Sequence, residues 1–271
     1  MSSPLTATLA ALRARAASLT DRAYTPFSGA PAAAVVLLAD GAWVPGVRVD
    51  SAAFSLSLSA FMNAVTTVVA LGRWDDAVVI VRSGPAPHAD RQYVAGLPGA
   101  PFEAVDDDAW IRRSGDEHLA ALEVGAAASP FVPPAGDLPG ERIAQARRLA
   151  ERAYTPASGF PVGALLAAGP DRLLPGVNVE HPDWNRILCA ERNALGTAYA
   201  YGVADALHAL YLSCPLDPSG TPCGACRQWL VELTPEMPLW MDRSDAPPDT
   251  QTPEALLPGS FSGRAIPRGR S

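Results

Sequence analysis

The decapeptide RAYTPFSGAP at residues 22–31 returns as RAYTPASGFP at residues 152–161, an offset of 130. The same offset superposes Pro45-Gly46-Val47 on Pro175-Gly176-Val177, Val49 on Val179, Ala60 on Ala190, Asn63-Ala64 on Asn193-Ala194 and Gly72 on Gly202. Further on, Ala89-x-Arg91-Gln92 matches Ala225-x-Arg227-Gln228 at an offset of 136, so the second copy carries six extra residues near Cys214 to Pro222. A repeat with so long a period is a domain duplication and not a solenoid. It predicts two modules, residues 1–125 and 141–271, joined by a Pro/Gly-rich linker over 126–140.

Within the second copy, Ile143, Ala146, Leu149 and Ala153 recur at helical spacing and predict a helix over 141–153. Strands are expected over 160–168 and 173–179 around a Gly-Pro-Asp turn, then a helix over 188–201 and a strand over 209–213. A helix opened by Pro222 and a strand over 239–242 complete the series. That order predicts an α/β fold: two tandem three-layer α/β/α domains with mixed sheets.

The composition, 48% hydrophobic and 18% charged over 271 residues, supplies ample core and excludes disorder. A net charge of −7 gives no phosphate-neutralising surface, so nucleic acid is excluded as a partner. All 21 basic residues are arginine, which removes Schiff-base and lysine general-base chemistry. The uncharged run from Ser51 to Gly72 invites comparison with a membrane span, but its serines, with Asn63, Thr66 and Thr67, predict a buried core helix and no membrane partner. The N-terminus reads as an arginine-spaced helix without the apolar block of a secretory leader, so the protein is expected in the cytoplasm. Four cysteines are too few for a disulfide scaffold, and close spacing in a reducing compartment points to metal binding or catalysis.

Three of those cysteines form the strongest signal, Cys189-Ala190-Glu191 followed by Pro222-Cys223-Gly224-Ala225-Cys226-Arg227-Gln228. A C-x-x-C pair on the first turn of a helix chelates one ion, and a third thiolate from another helix completes a soft ligand set suited to Zn²⁺. Three ligands leave one tetrahedral position open for a water acidified toward neutral pKa, the mark of a catalytic zinc. Glu191, two residues from Cys189, is placed to take and return that water's proton. Three thiolates leave the site at a net −1, and two helix N-termini together with Arg192 and Arg227 are the candidate charge compensation.

With these residues the second copy resembles the cytidine deaminase family over nearly its whole length. Besides CAER and PCGACRQ, the resemblance includes AYTPASGFPVGA, GVNVE and EALLPGSF, at the spacings of the short, multimeric members. It implies a hydrolase that converts cytidine and deoxycytidine to uridine and deoxyuridine with release of ammonia, in pyrimidine salvage. It implies one zinc per chain on Cys189, Cys223 and Cys226, with Glu191 also protonating the ring nitrogen and the departing amine. By the same resemblance Phe160 packs against the base, Asn178 and Glu180 hold the ribose hydroxyls, Ala190 lies at the substrate, and Phe261 covers the base from a neighbouring subunit. A homodimer would then be a pseudo-tetramer of domains with two working sites.

Two departures qualify the resemblance. Where the family carries an Asn-Ala-Ser/Cys-Tyr-like stretch before the zinc cysteine, this chain reads His181-Pro182-Asp183-Trp184-Asn185-Arg186-Ile187, which leaves open a different aminated nucleoside or a nucleoside antibiotic as substrate. His181 is expected to be structural or solvent-facing and no metal ligand, and Trp184 and Trp229 to be packing aromatics. In the first copy every ligand is gone: Ser59 stands for Cys189, Phe61 for Glu191, Pro87 for Cys223 and Asp90 for Cys226, while Arg48 replaces Asn178 and Ala30 replaces Phe160. That copy is expected to be a catalytically inactive scaffold. A closed, purely structural Cys₄ zinc site would need Cys214 as fourth ligand and would leave Glu191 without a purpose; Cys214 is instead expected to be a small buried hydrophobe at a strand end.

Overall fold

The computed structural model describes residues 4–99, 101–112, 122–264 and 266. The repeat appears in it as two five-stranded sheets, each with helices on both faces. In the first copy, helix α1 (Pro4–Ser18) precedes the wholly buried strand β1 (Ala33–Leu38), which forms a hairpin with β2 (Trp43–Val47). Helix α2 (Ala60–Ala70), strand β3 (Ala77–Arg82), helix α3 (His88–Ala95) and the hairpin of β4 (Phe102–Asp106) and β5 (Ala109–Arg112) follow. The second copy repeats the order with α4 (Pro139–Leu149), β6 (Gly163–Ala167), β7 (Leu173–Val177), α5 (Ala190–Ala200), β8 (Ala209–Ser213), α6 (Gly224–Leu233) and β9 (Leu239–Arg243). It ends with β10 (Ala246–Gln251) and the single turn α7 (Pro253–Leu256). The sequence gives no signal for β10, because APPDTQ holds two prolines and no apolar alternation; it is an exposed edge strand paired only with β9.

The sheets run β2-β1-β3-β5-β4 and β10-β9-β8-β6-β7. The second is mixed, with β9 parallel to β8 across the α6 crossover and its other pairings antiparallel. In the first, the described pairings are all antiparallel, because β5 and not β4 lies beside β3. Burial decides between the two arrangements. Ala109 and Trp110 of β5 are buried while β4 exposes Glu103 and Asp106, so the apolar strand takes the inner place in the first sheet, as Leu239 and Met241 of β9 do in the second.

Helix α1 lies on β1 and β3, and α4 on β6 and β8, while α2 and α5 cover the opposite faces and pack against each other. The two copies therefore share a central helical layer. This position, between two sheets, is why α2 is buried at almost every residue and carries no charge. None of the helices among the described residues is long and apolar enough to cross a membrane. The contact repeats itself about a pseudo-twofold axis. Asn63 Nδ2 donates to the Val47 and Gly196 carbonyls, and its counterpart Asn193 donates to those of Val177 and Thr66. Arg22 donates to the Ala200 carbonyl and Arg152 to that of Ala70, and the Thr67 and Thr197 hydroxyls meet at 2.8 Å on the axis.

Candidate active site

Cysteine at a helix N-cap faces the unpaired N–H groups of the first turn, and two such ends converge here. Cys189 caps α5, Cys223 caps α6, and Cys226 sits one turn into α6. Their Sγ atoms all lie within 4.8 Å of one another, with Cys189 and Cys226 each 3.6 Å from Cys223. A tetrahedral zinc with Zn–S bonds of about 2.3 Å has sulfur–sulfur edges of about 3.8 Å, so these thiols fit the ion. Cys226 is buried and Cys223 exposed, which leaves the cluster open to solvent on the Cys223 side. Hydrogen bonds from the Cys189 and Cys226 thiols hold the Cys223 pKa well down, while hydrogen bonding to Cys189 and Cys223, with burial, pushes that of Cys226 up. Cys214 lies outside the cluster; partly buried after β8, it packs against Gly220.

Glu191 occupies the first turn of α5 and is 3% exposed. Burial, reinforced by the neighbouring Cys223 charge, raises its pKa to about 7, in the range where a carboxyl group can both accept and return a proton near neutrality. Ala190, fully buried, opens α5; its carbonyl lies so close to β7 that a Cβ on Gly176 would fall 2.2 Å from it. The two arginines brace the site. Arg227 donates to the Pro222 and Leu256 carbonyls and to the Thr221 hydroxyl, fixing the loop that presents Cys223. Arg192 donates to the carbonyls of Ile187 and of Leu56 in the first copy, with its guanidinium 5.7 Å from the Trp229 ring centre.

The residues expected at a sugar lie at the ends of β7 and the Tyr154–Phe160 loop. Asn178 Oδ1 accepts from the Val162 N–H at 2.7 Å and its amide donates to the Phe160 carbonyl at 2.9 Å, which leaves one amide hydrogen uncommitted among the described residues. Glu180 Oε2 accepts from the Ala157 and Ser158 N–H groups at 2.7 and 3.2 Å. Burial works to raise the pKa of this carboxylate, but the bonds from Ser158 and Ala157 outweigh it and hold the group ionised. A cavity of about 250 Å³ opens beside Glu180, walled by Tyr154, Pro156, Ala157, His181, Pro182 and Trp184. Phe160 is exposed at its loop. Phe261 is also exposed, its carbonyl held by Gln228, and the chain beyond it runs to the first copy, where Gly263 meets Phe27 and Ala52.

Trp184 corrects the sequence reading, for it is no packing residue: 72% exposed, it borders the Glu180 cavity. Trp229 does pack, fully buried, with its indole N–H donated to the Leu56 carbonyl. That carbonyl, shared by Trp229 and Arg192, is a contribution of the first copy that sequence reasoning missed, because a backbone acceptor leaves no residue-type signal. In the first copy the counterparts occupy the same places without the chemistry. Ser59 caps α2 and Pro87 precedes α3, Asp90 is buried against Arg82, and Phe61 meets Trp110 edge-on.

Comparison with known proteins agrees with this geometry. Residues 141–239 match a family model described as the cytidine and deoxycytidylate deaminase zinc-binding region, and residues 2–82 match a second model of the same description. The cytidine deaminase of Sporosarcina psychrophila is 36% identical over 121 residues, 44% of this chain and 88% of that protein. That of Halalkalibacterium halodurans is 35% identical over 121 residues, 44% of this chain and 91% of its own. Among solved structures, cytidine deaminase from Burkholderia pseudomallei aligns at 32% identity over 45% of this chain and 98% of its own, with a TM-score of 0.43. On the match of both halves to the family models and the similarity to the two curated cytidine deaminases, the chain is an enzyme that belongs to the cytidine deaminase family as a tandem of two copies.

Proposed function

We propose that the second copy, residues 141–271, deaminates cytidine and deoxycytidine hydrolytically to uridine and deoxyuridine, and that the first copy, residues 1–125, is inactive. The observation that carries this reading is the pairing of three sulfurs at tetrahedral spacing with one buried carboxyl group, Glu191, whose pKa is near neutrality. Cys189, Cys223 and Cys226 would hold a single zinc, which supplies Lewis acidity toward water at its remaining position. Glu191 takes a proton from the attacking water and delivers it to ring N3, then carries the second proton to the exocyclic amine. A C4–O bond forms, the C4–N bond breaks and ammonia leaves. The Glu180 carboxylate and the Asn178 amide can accept from and donate to sugar hydroxyls, while Phe160 and Phe261 offer exposed aromatic faces for the base. Arg192 and Arg227, beside the ligands in the chain, would offset the charge of three thiolates.

Exposed aromatic residues at pseudo-equivalent places, Phe54 and Trp184, support a homodimer that forms a pseudo-tetramer of domains. Its place is pyrimidine salvage in the cytoplasm, where the free thiols stay reduced. Trp184 beside Glu180 favours one second reading, a different aminated nucleoside as substrate.

Ammonia release from a panel of nucleosides, with zinc content measured in parallel, tests both readings. Glu191→Gln is expected to lower kcat about 10²- to 10⁴-fold with zinc retained at one per chain. Cys214→Ser should leave zinc and rate unchanged. Undiminished turnover by Glu191→Gln would remove the mechanism, and turnover of none of the pyrimidine nucleosides would shift the substrate to the second reading.

A further inference from the structure

The stretch that departs from the family, His181 to Ile187, is not a free loop: it docks on α3 of the inactive copy. The His181 ring is 8% exposed and stacks on Tyr93, with centroids 5.0 Å apart and planes inclined by 17°. Its Nδ1 accepts from the Asp183 N–H at 3.0 Å, so the ring proton sits on Nε2 and is donated to the Tyr93 carbonyl at 3.1 Å. Five residues on, Arg186 donates to the Ala89 carbonyl and, at 2.6 Å, to Gln92 Oε1. Glu180 immediately precedes His181, so the carboxylate offered to the sugar is tethered, one residue away, to the other domain.

Across the pseudo-twofold axis the same contact is built with the sizes exchanged. Ser51, the counterpart of His181, donates to Glu232 Oε1 at 3.0 Å, and the Ala52 N–H donates to Glu232 Oε2 at 3.0 Å. Glu232 is the counterpart of Gly96. A large helix residue thus meets a small loop residue at one end of the axis, and a small helix residue meets a large loop residue at the other. A Cβ on Gly96 would fall 2.3 Å from His181 Nε2. The two copies are consequently fitted to each other and not interchangeable, and His181 and Arg186 are the residues of HPDWNRI that α3 receives.

We propose that His181 is a positioning residue of the nucleoside site, received by Tyr93 and Gly96 of the inactive copy while Gln92 holds Arg186 at the other end of the same loop, so that the loop fixes Glu180 for the sugar hydroxyls. This rests on the deaminase reading given above. Gly96 has φ −98°, open to any residue, so Gly96→Ala acts through the steric clash: the ring yields only by giving up its stacking and both hydrogen bonds. Gln92→Ala, on the exposed face of α3, removes one partner of Arg186 and leaves the fold alone.

The test is steady-state kinetics of the full chain with cytidine and with 2′,3′-dideoxycytidine, which lacks both the 2′- and the 3′-hydroxyl; if the latter is not turned over, its competitive Ki serves. Gly96→Ala is expected to raise KM for cytidine about tenfold, with kcat within about twofold and the dideoxycytidine constant unmoved. Gln92→Ala should show the same pattern at about threefold, with the wild-type melting temperature. Should Gly96→Ala not fold, Gln92→Ala decides alone. An unmoved KM in the folded variants, or equal rises for both nucleosides, overturns the assignment while leaving the deaminase intact. Wild type that releases no ammonia from cytidine overturns both.

Discussion

Asp242 on β9 is a buried carboxylate whose environment makes a testable statement about pH. Both of its oxygens accept from Arg147, at 2.7 and 2.9 Å, and it also accepts from the Ser213 hydroxyl and the Ser244 N–H. Burial alone would raise its pKa, but Arg147 and Ser213 more than offset this, so the folded-state value lies below the ordinary one. A depressed carboxylate contributes stability that is present above its unfolded pKa and lost as pH falls through the folded value. Asp242→Asn is therefore expected to cost about 2 kcal/mol at pH 7. The melting-temperature gap between variant and wild type should close below about pH 4; a gap constant down to pH 2 would refute the account. At this scale the sequence was informative where residue type and spacing announce a cluster, as for Cys189, Cys223 and Cys226, whose sulfurs the fold brings together. It was uninformative where the functional group is backbone, as at the Leu56 carbonyl, and it misplaced Trp184, because exposure of an aromatic side chain depends on which neighbours the fold supplies.

Among elements, α5 carries Glu191 in its first turn and Cys189 as its N-cap, and β7 sets its height. Gly176 of β7 lets the helix lie flush, since a Cβ there would come 2.2 Å from the Ala190 carbonyl and 2.8 Å from the Ala194 side chain. Gly46 does the same for α2, where a Cβ would fall 2.2 Å from the Ala64 nitrogen. Both substitutions to alanine are expected to destabilise by about 1–3 kcal/mol through overpacking. They should differ in function: Gly176→Ala displaces the helix whose N-cap is Cys189 and should weaken zinc binding at least about tenfold, whereas Gly46→Ala should leave zinc affinity unchanged. Thermal melts with zinc titration of both variants check this, and equal zinc affinities would count against it. Most elements of the second copy were legible from spacing; β10 was not, because its pairing with β9 and not its composition makes it a strand.

The whole molecule has no clean plane of separation between its halves. One continuous core joins Leu12, Val35 and Leu37 of the first copy to Leu166, Leu195 and Trp229 of the second, and Asn63 and Asn193 each donate one of their two amide hydrogen bonds across the junction. Calorimetry of the full chain should therefore show one unfolding transition with equal calorimetric and van't Hoff enthalpies; two resolved transitions would show that the copies fold independently. The duplication, the zinc-ligand pattern and the loss of that pattern from the first copy follow from the sequence by itself, because they are matters of residue identity at fixed spacing. Tertiary structure alone decided that α2 and α5 share one layer, that β5 and not β4 lies beside β3, and that HPDWNRI lies on α3. Each of these is a choice among surfaces competing for burial, and such a choice exists only once residues distant in the chain have met.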